Sequence, residues 1–288
     1  MPLHERFPNS ARGFSLCSVK TYLVPLSVAI VAFAPVSALA QSPAAADVLF
    51  AEDFDTTPVG EIPKGFTKTG AAGVAEDFAH SGKHSLRIEP ATRGGRLITL
   101  PPPAAAAVGG EHWGRFYLRV KLPAPAPIVP EGKATAIIHS TLVSGKATSP
   151  LANDPIEVRM AGTITTMTSG FKWLYNVQPK QRKEFGATSK TTSQYSDHWT
   201  LVEWHADHAT QTYEFFVDGQ EVGDIGIHKG AGKFEGAEIP ATFDSLSFGW
   251  TNYQPASGEG FTAWIDDLVL SKKRVGGGSV PGVAGIRK

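Results

Sequence analysis

Residues 199–222, WTLVEWHADHATQTYEFFVDGQEV, decide the fold. Two runs of alternating character, 200–206 and 212–217, flank a polar link, and the second ends in Asp218-Gly219, a dipeptide suited to the positive φ values of a tight hairpin turn. The spacing predicts strand, turn, strand, turn, strand. With a period of two, Val202 and Trp204 fall on one face and Glu203 and His205 on the other, so one side can bury while the other carries ionisable groups. That polar face is a candidate ligand surface.

The same alternation recurs along the chain. In 115–121, Phe116, Leu118 and Val120 alternate with Arg115, Tyr117 and Arg119. Around 133–142, Ile138 points one way and His139 the other; 156–160 puts Glu157 and Arg159 on a polar side. Phe171, Trp173 and Tyr175 also stand at alternate positions, a spacing that serves either a core or a sugar-stacking row. Further strands are expected at 48–54, 85–89, 96–100, 243–248 and 261–270, the last two enclosing a loop at 250–260. The stretches 101–110 and 178–196 read as connections, the second long, polar and basic enough for a functional loop, and 231–239 as another loop. No amphipathic helix of three turns and no internal repeat is evident. The pattern predicts an all-β protein, an antiparallel β-sandwich of the jelly-roll, concanavalin-like or laminin-G-like type.

The ends read differently. Arg6, Arg12 and Lys20 precede an apolar run at 22–34, followed by Ala38-Leu39-Ala40 with small residues at −3 and −1, so 1–40 is expected to be a signal peptide. Residues 41–47 then form a flexible leader, 48–275 the sandwich, and 276–288 a disordered tail. The single cysteine, Cys17, leaves with the signal, so the mature domain must be held by its core. An extracytoplasmic location, periplasmic or secreted, follows. With 27 basic and 27 acidic residues there is no electrostatic case for nucleic acid. No second apolar run of spanning length follows the signal, so no further membrane contact is expected, and a monomer is the expectation.

The segments FAEDFD, SGKHSLRI, WTLVEWHAD to VDGQEVG, and FGWTNY to FTAWIDDLVLSKKRVG, spread over residues 48–275, resemble the secreted cellulose-induced-protein core-domain family, which is related in fold to alginate and glucuronan lyases. Arg115-Phe-Tyr-Leu-Arg119 is similar to the Arg-x-Glu-x-Arg strand of some such lyases, with Tyr117 where the acid would be. Ile137-Ile138-His139 is similar to their Gln-Ile-His motif, with Ile137 in place of the glutamine, and Tyr253-Gln254 is the nearest counterpart of their C-terminal Tyr/Lys/Gln motif. The resemblance implies a groove on a concave sheet that receives a polysaccharide, and β-elimination as the chemistry.

Eliminative cleavage of a polyuronate needs a cation or amide for the carboxylate, a base for the proton beside it, and an acid for the leaving oxygen. The expected set is His139 as base, Tyr117 or Tyr253 as acid, and Arg119 with Arg159 as the clamp, provided their strands are neighbours. Arg115, Glu157, Glu203 and His205 on polar strand faces, and Trp173, Tyr175, Trp250 and Tyr253 as stacking rings, are the candidate sugar contacts. Hydrolysis would need two carboxylates, for which Glu157 and Glu203 are the available pair. Glu52 and Asp53 near one end and Asp266 and Asp267 near the other suit a calcium ion joining first and last strands, and the family resemblance adds a Ser81 oxygen. The alternatives from other classes are a non-catalytic carbohydrate-binding module and a structural envelope protein.

Overall fold

The computed structural model describes residues 47–168, 170–228 and 238–278. The expected signal peptide, the leader as far as residue 46, most of the loop at 231–239 and the tail beyond 278 lie outside these residues. In chain order the described elements are β1 (Val48–Glu52), β2 (Thr67–Thr69), β3 (Ala72–Ala75), β4 (Ser85–Ala91), β5 (Gly94–Thr99), α1 (Pro102–Val108), β6 (Glu111–Val120) and β7 (Ile138–Thr148). They continue as β8 (Pro155–Thr165), β9 (Gly170–Pro179), β10 (Phe185–Thr188), β11 (Ser193–Gln194), β12 (Thr200–Asp207), β13 (Thr212–Val217), β14 (Gln220–Glu221), β15 (Ser245–Asn252) and β16 (Phe261–Ser271).

The opening stretch folds as its alternation requires. Asp218 and Gly219 take φ of 48° and 79°, and Val217 pairs with Gln220 across them, the two-residue turn whose twist matches that of its strands. In β12, Val202, Trp204 and Ala206 enter the core. The first sheet runs β14-β13-β12-β6-β16-β4-β3, with β1 also on β16; the second runs β10-β9-β8-β7-β15-β5-β2, with β11 also on β9. The two sheets face each other across a core filled by Trp204, Trp250, Tyr175, Tyr213, Phe116 and Phe248, all fully buried. This is the expected antiparallel sandwich. Among the described residues no helix is long and apolar enough to cross a membrane.

Two connections carry more structure than the sequence pattern implied. Within 101–110 the prolines sit at the start of α1, where their missing N–H groups cost nothing, and four alanines continue the turn while Ala105 and Val108 bury. The stretch 178–196 is no open loop: β10 and β11 both pair with β9 and extend the second sheet at its edge. Residues 276–278, expected as the start of a disordered tail, lie along the first sheet, where Arg115 Nη1 donates to the Gly276 and Gly278 carbonyls at 2.5 and 2.7 Å.

His112 sits wholly inside the core, where its Nε2 accepts the Trp204 indole N–H at 3.0 Å, so the neutral ring carries its proton on Nδ1. Burial pushes its pKa down to about 4, assisted by His205 and partly offset by the Gly109 carbonyl. Since the folded value lies below the unfolded one, the unfolded chain binds the proton first. Stability is therefore complete above the ordinary histidine value and falls between about pH 6.5 and pH 4, by about 3 kcal/mol. Asp266 acts in the opposite sense, because burial and Asp267 raise it to about 8, so that its contribution weakens as pH rises towards that value. Urea unfolding of the wild type against His112→Gln over this range isolates the histidine: the wild type is expected to lose its margin over the variant as pH falls, and a constant difference would contradict the assignment.

Candidate functional site

On the outer face of the second sheet, β7 to β10 form a cleft of about 420 Å³. The pleat that buries Phe171, Trp173, Tyr175 and Val177 of β9 leaves Leu174, Asn176 and Gln178 facing outward. Register then builds rows across the sheet. Arg159 of β8 lies opposite Asn176, which lies opposite Gly186 of β10, and Leu174 lies opposite Thr188. His139 enters from β7, opposite Ile164.

Tyr253 and Gln254, which follow β15, close the cleft beside His139. The Tyr253 N–H donates to the His139 carbonyl at 3.0 Å, and the His139 N–H donates to Gln254 Oε1 at 2.7 Å. The Arg159 guanidinium lies over the Tyr253 ring, 4.2 Å from its centroid, and Nη2 reaches Glu157 at 3.3 Å. Burial raises the Tyr253 hydroxyl, while its bond to Thr141 Oγ1 at 3.3 Å and the nearby Arg159 oppose that rise, so at neutral pH the group keeps its proton. Gln254 accepts with its carbonyl oxygen, and among the described residues nothing accepts its two amide protons. A second depression of about 470 Å³, lined by Lys146, Glu157, Lys180 and Asp244 among others, shares Arg159 and Gln178 with the cleft. Through these shared residues the two depressions adjoin as one trough on the outer face of the sheet.

The expected quartet does not converge. His139 and Arg159 share the cleft, but Tyr117 and Arg119 belong to β6 and point outward from the other sheet, with the core between. There the Tyr117 ring stacks on His80 at 3.4 Å and its hydroxyl donates to Gly277, while Arg119 lies over Phe78 at 3.7 Å. Arg115 is buried under the 276–278 segment. Glu203 and His205 are also on this face and are not open to a ligand: Arg274 holds Glu203 through Nε at 3.2 Å and Nη2 at 2.8 Å, and His205 pairs with Glu214 and stacks on Trp113. With Glu157 on one sheet and Glu203 on the other, the two carboxylates cannot flank one glycosidic bond.

Three of the four candidate stacking rings are core residues. Trp173, Tyr175 and Trp250 are at most 3% exposed, and Tyr253 alone faces the cleft. The alternation that suggested a stacking row is the signature of the inner face, and it leaves Asn176 and Gln178 on the outer one.

The acidic residues meet hydrogen-bond donors. Asp266 Oδ2 accepts the backbone N–H groups of His80 and Ser81 at 2.7 and 3.2 Å, and Asp267 accepts His80 Nδ1 at 2.6 Å and Ser81 Oγ at 2.8 Å. Glu52 Oε1 accepts the Phe54 N–H, and Asp53 Oδ1 that of Asp55. Among the described residues no three such side chains gather as a coordination set. The donors present thus fit a clasp between the 80–81 turn and β16 better than a calcium centre.

Fold and cleft together define an antiparallel jelly-roll sandwich with a polar trough across one sheet. The chain matches no protein-family model and no curated protein. Among solved structures it is similar to the cellulose induced protein Cip1, with 16% identity over 80% of this chain and 100% of that one, at a TM-score of 0.51. It is also similar to the carbohydrate esterase of the Shiga toxin-encoding bacteriophage phi24B, at 13% identity, 77% and 97% coverage and a TM-score of 0.45. A third is the receptor binding domain of botulinum neurotoxin mosaic serotype C/D, at 11% identity, 79% and 48% coverage and a TM-score of 0.47. The likeness to Cip1 bears out the expected resemblance at the level of fold.

Proposed function

We propose that the trough on the second sheet binds an acidic polysaccharide outside the cytoplasm and cleaves it by β-elimination. The observation that carries this is the meeting of His139, Tyr253, Gln254 and Arg159 in one cleft, from three separate segments. His139 takes the proton from the carbon beside the uronate carboxylate. The electron pair of that C–H bond becomes the new C=C bond, the C–O bond to the departing sugar breaks, and the Tyr253 hydroxyl protonates the leaving oxygen. Arg159 and the free amide protons of Gln254 face the carboxylate, where charge builds before the C–O bond opens. Gln254 would thus supply from another segment the amide that Ile137 lacks.

Incubation with polyuronates, following the ultraviolet absorbance of the unsaturated product, tests the chemistry. Retained binding with no product on any polyuronate would leave a carbohydrate-binding module. Occupancy of the trough has its own test in Gly186→Trp. Gly186 has no positive φ, and an added Cβ would make only ordinary contacts with Asn176 and Leu174, so the indole fills the cleft without straining the sheet. Polysaccharide binding is expected to weaken about tenfold or more, roughly 1.4 kcal/mol, with Tm unchanged. Unaltered binding would place the ligand elsewhere.

A further inference from the structure

We propose that Arg182 fastens one wall of the cleft and sets its width, an inference about the working of the site that rests on the trough being the place where the polysaccharide binds. That wall is β10, four residues at the edge of the second sheet, hydrogen-bonded to β9 on one side only. Its alternation turns Gly186 and Thr188 into the cleft, with Glu184 just ahead of them. Within the strand, the Phe185 ring packs against Tyr175, the Phe185 carbonyl accepts from Asn176 Nδ2 at 2.7 Å and Ala187 is buried, so the inward side is held by the core while the approach to the strand is held from Arg182.

Arg182 stands two residues before Glu184, at the turn that feeds the strand. Nη1 and Nη2 donate to Glu238 at 2.8 and 3.2 Å, and Nη2 also donates to Asp154 at 2.9 Å and to Ser149 Oγ at 3.1 Å. Ser149 Oγ in turn donates to Glu238, and the Glu238 carbonyl accepts the Tyr175 hydroxyl at 3.1 Å. The Glu238 side chain is fully buried, although nothing in the chemistry proposed above uses it. A buried carboxylate is costly unless a cation meets it in good geometry, and the fork of one guanidinium does so here. The cluster therefore ties three segments to one side chain: the β7–β8 turn, the approach to β15 and the root of the cleft wall. Arg182 touches no ligand position, so it is a positioning residue, acting through Glu184, Gly186 and Thr188.

The test compares the wild type with Arg182→Ala and with the double variant Arg182→Met/Glu238→Gln, the second because Arg182→Ala alone strands a buried charge. Two readouts are taken from each: amide hydrogen exchange at residues 185–188 against residues 156–165 of β8, and half-saturation by a soluble polyuronate. In the double variant, exchange at 185–188 is expected to quicken about tenfold or more while β8 is unchanged. Half-saturation is expected to rise about tenfold, with turnover at saturation little altered. Unchanged exchange at 185–188, or a loss of protection spread evenly over both strands, would overturn the inference. If the wild type binds no polyuronate, the proposed function falls, while the exchange comparison still decides whether Arg182 fastens the wall.

Discussion

His139→Ala is expected to slow β-elimination of a polyuronate by about 10²–10⁴-fold, the range that a positioned general base contributes. The side chain lies half-buried on an outer face and its backbone bonds, to Tyr253 and Gln254, do not depend on the imidazole, so the variant should fold with an unchanged Tm. Tyr253→Phe removes only the hydroxyl and its 3.3 Å bond to Thr141, and should lower turnover to a similar degree with half-saturation nearly unchanged. The split matters. A residue that only shaped the trough would raise half-saturation and spare turnover, whereas the loss of an acid or base does the reverse. Wild-type turnover in His139→Ala would end the catalytic assignment even if polysaccharide binding were intact.

Gly114→Ala is expected to cost on the order of 3 kcal/mol, a fall in Tm of about 6–12 °C for a domain of this size. Gly114 of β6 lies opposite Trp204 of β12, and a Cβ at this position would overlap the six-membered ring of that indole. Neither partner can yield. The indole is fully buried in the aromatic core, and its N–H is bound to His112, so shifting the ring also leaves a buried donor and acceptor unpaired. The glycine is needed here for close approach. Calorimetry of the variant gives the answer, and a Tm within a degree or two of the wild type would show that the ring has room to move.

Much of this molecule is written in the period of its side chains. The alternation in residues 199–222 predicts β12 and β13, and Asp218-Gly219 predicts the turn between β13 and β14; both are present in that register. The same pattern marks Trp204 as inward, and His139 and Arg159 as outward, because a strand has only two faces and a sandwich buries one of each sheet. What period two cannot encode is which sheet a strand joins. Arg119 and Arg159 look alike in sequence, each a cation between apolar neighbours, yet β6 pairs with β12 and β16 while β8 pairs with β7 and β9, so the two guanidinium groups leave the sandwich in opposite directions. Aromatic spacing was ambiguous for the same reason: Trp173 and Tyr175 mark a face without saying whether it is the inner one.

Local periodicity and turn chemistry were enough to give the antiparallel sandwich and, in β6, β8 and β12, the side chains that alternate out of the core, but not the face on which the β9 aromatics lie. That His139, Arg159, Tyr253 and Gln254 share one cleft, while Arg115, Tyr117, Arg119 and Glu203 lie covered on the far sheet, follows from the assembled sheets alone. Strand order and the course of the chain ends are set by long-range pairing, and no short stretch of residues carries that information.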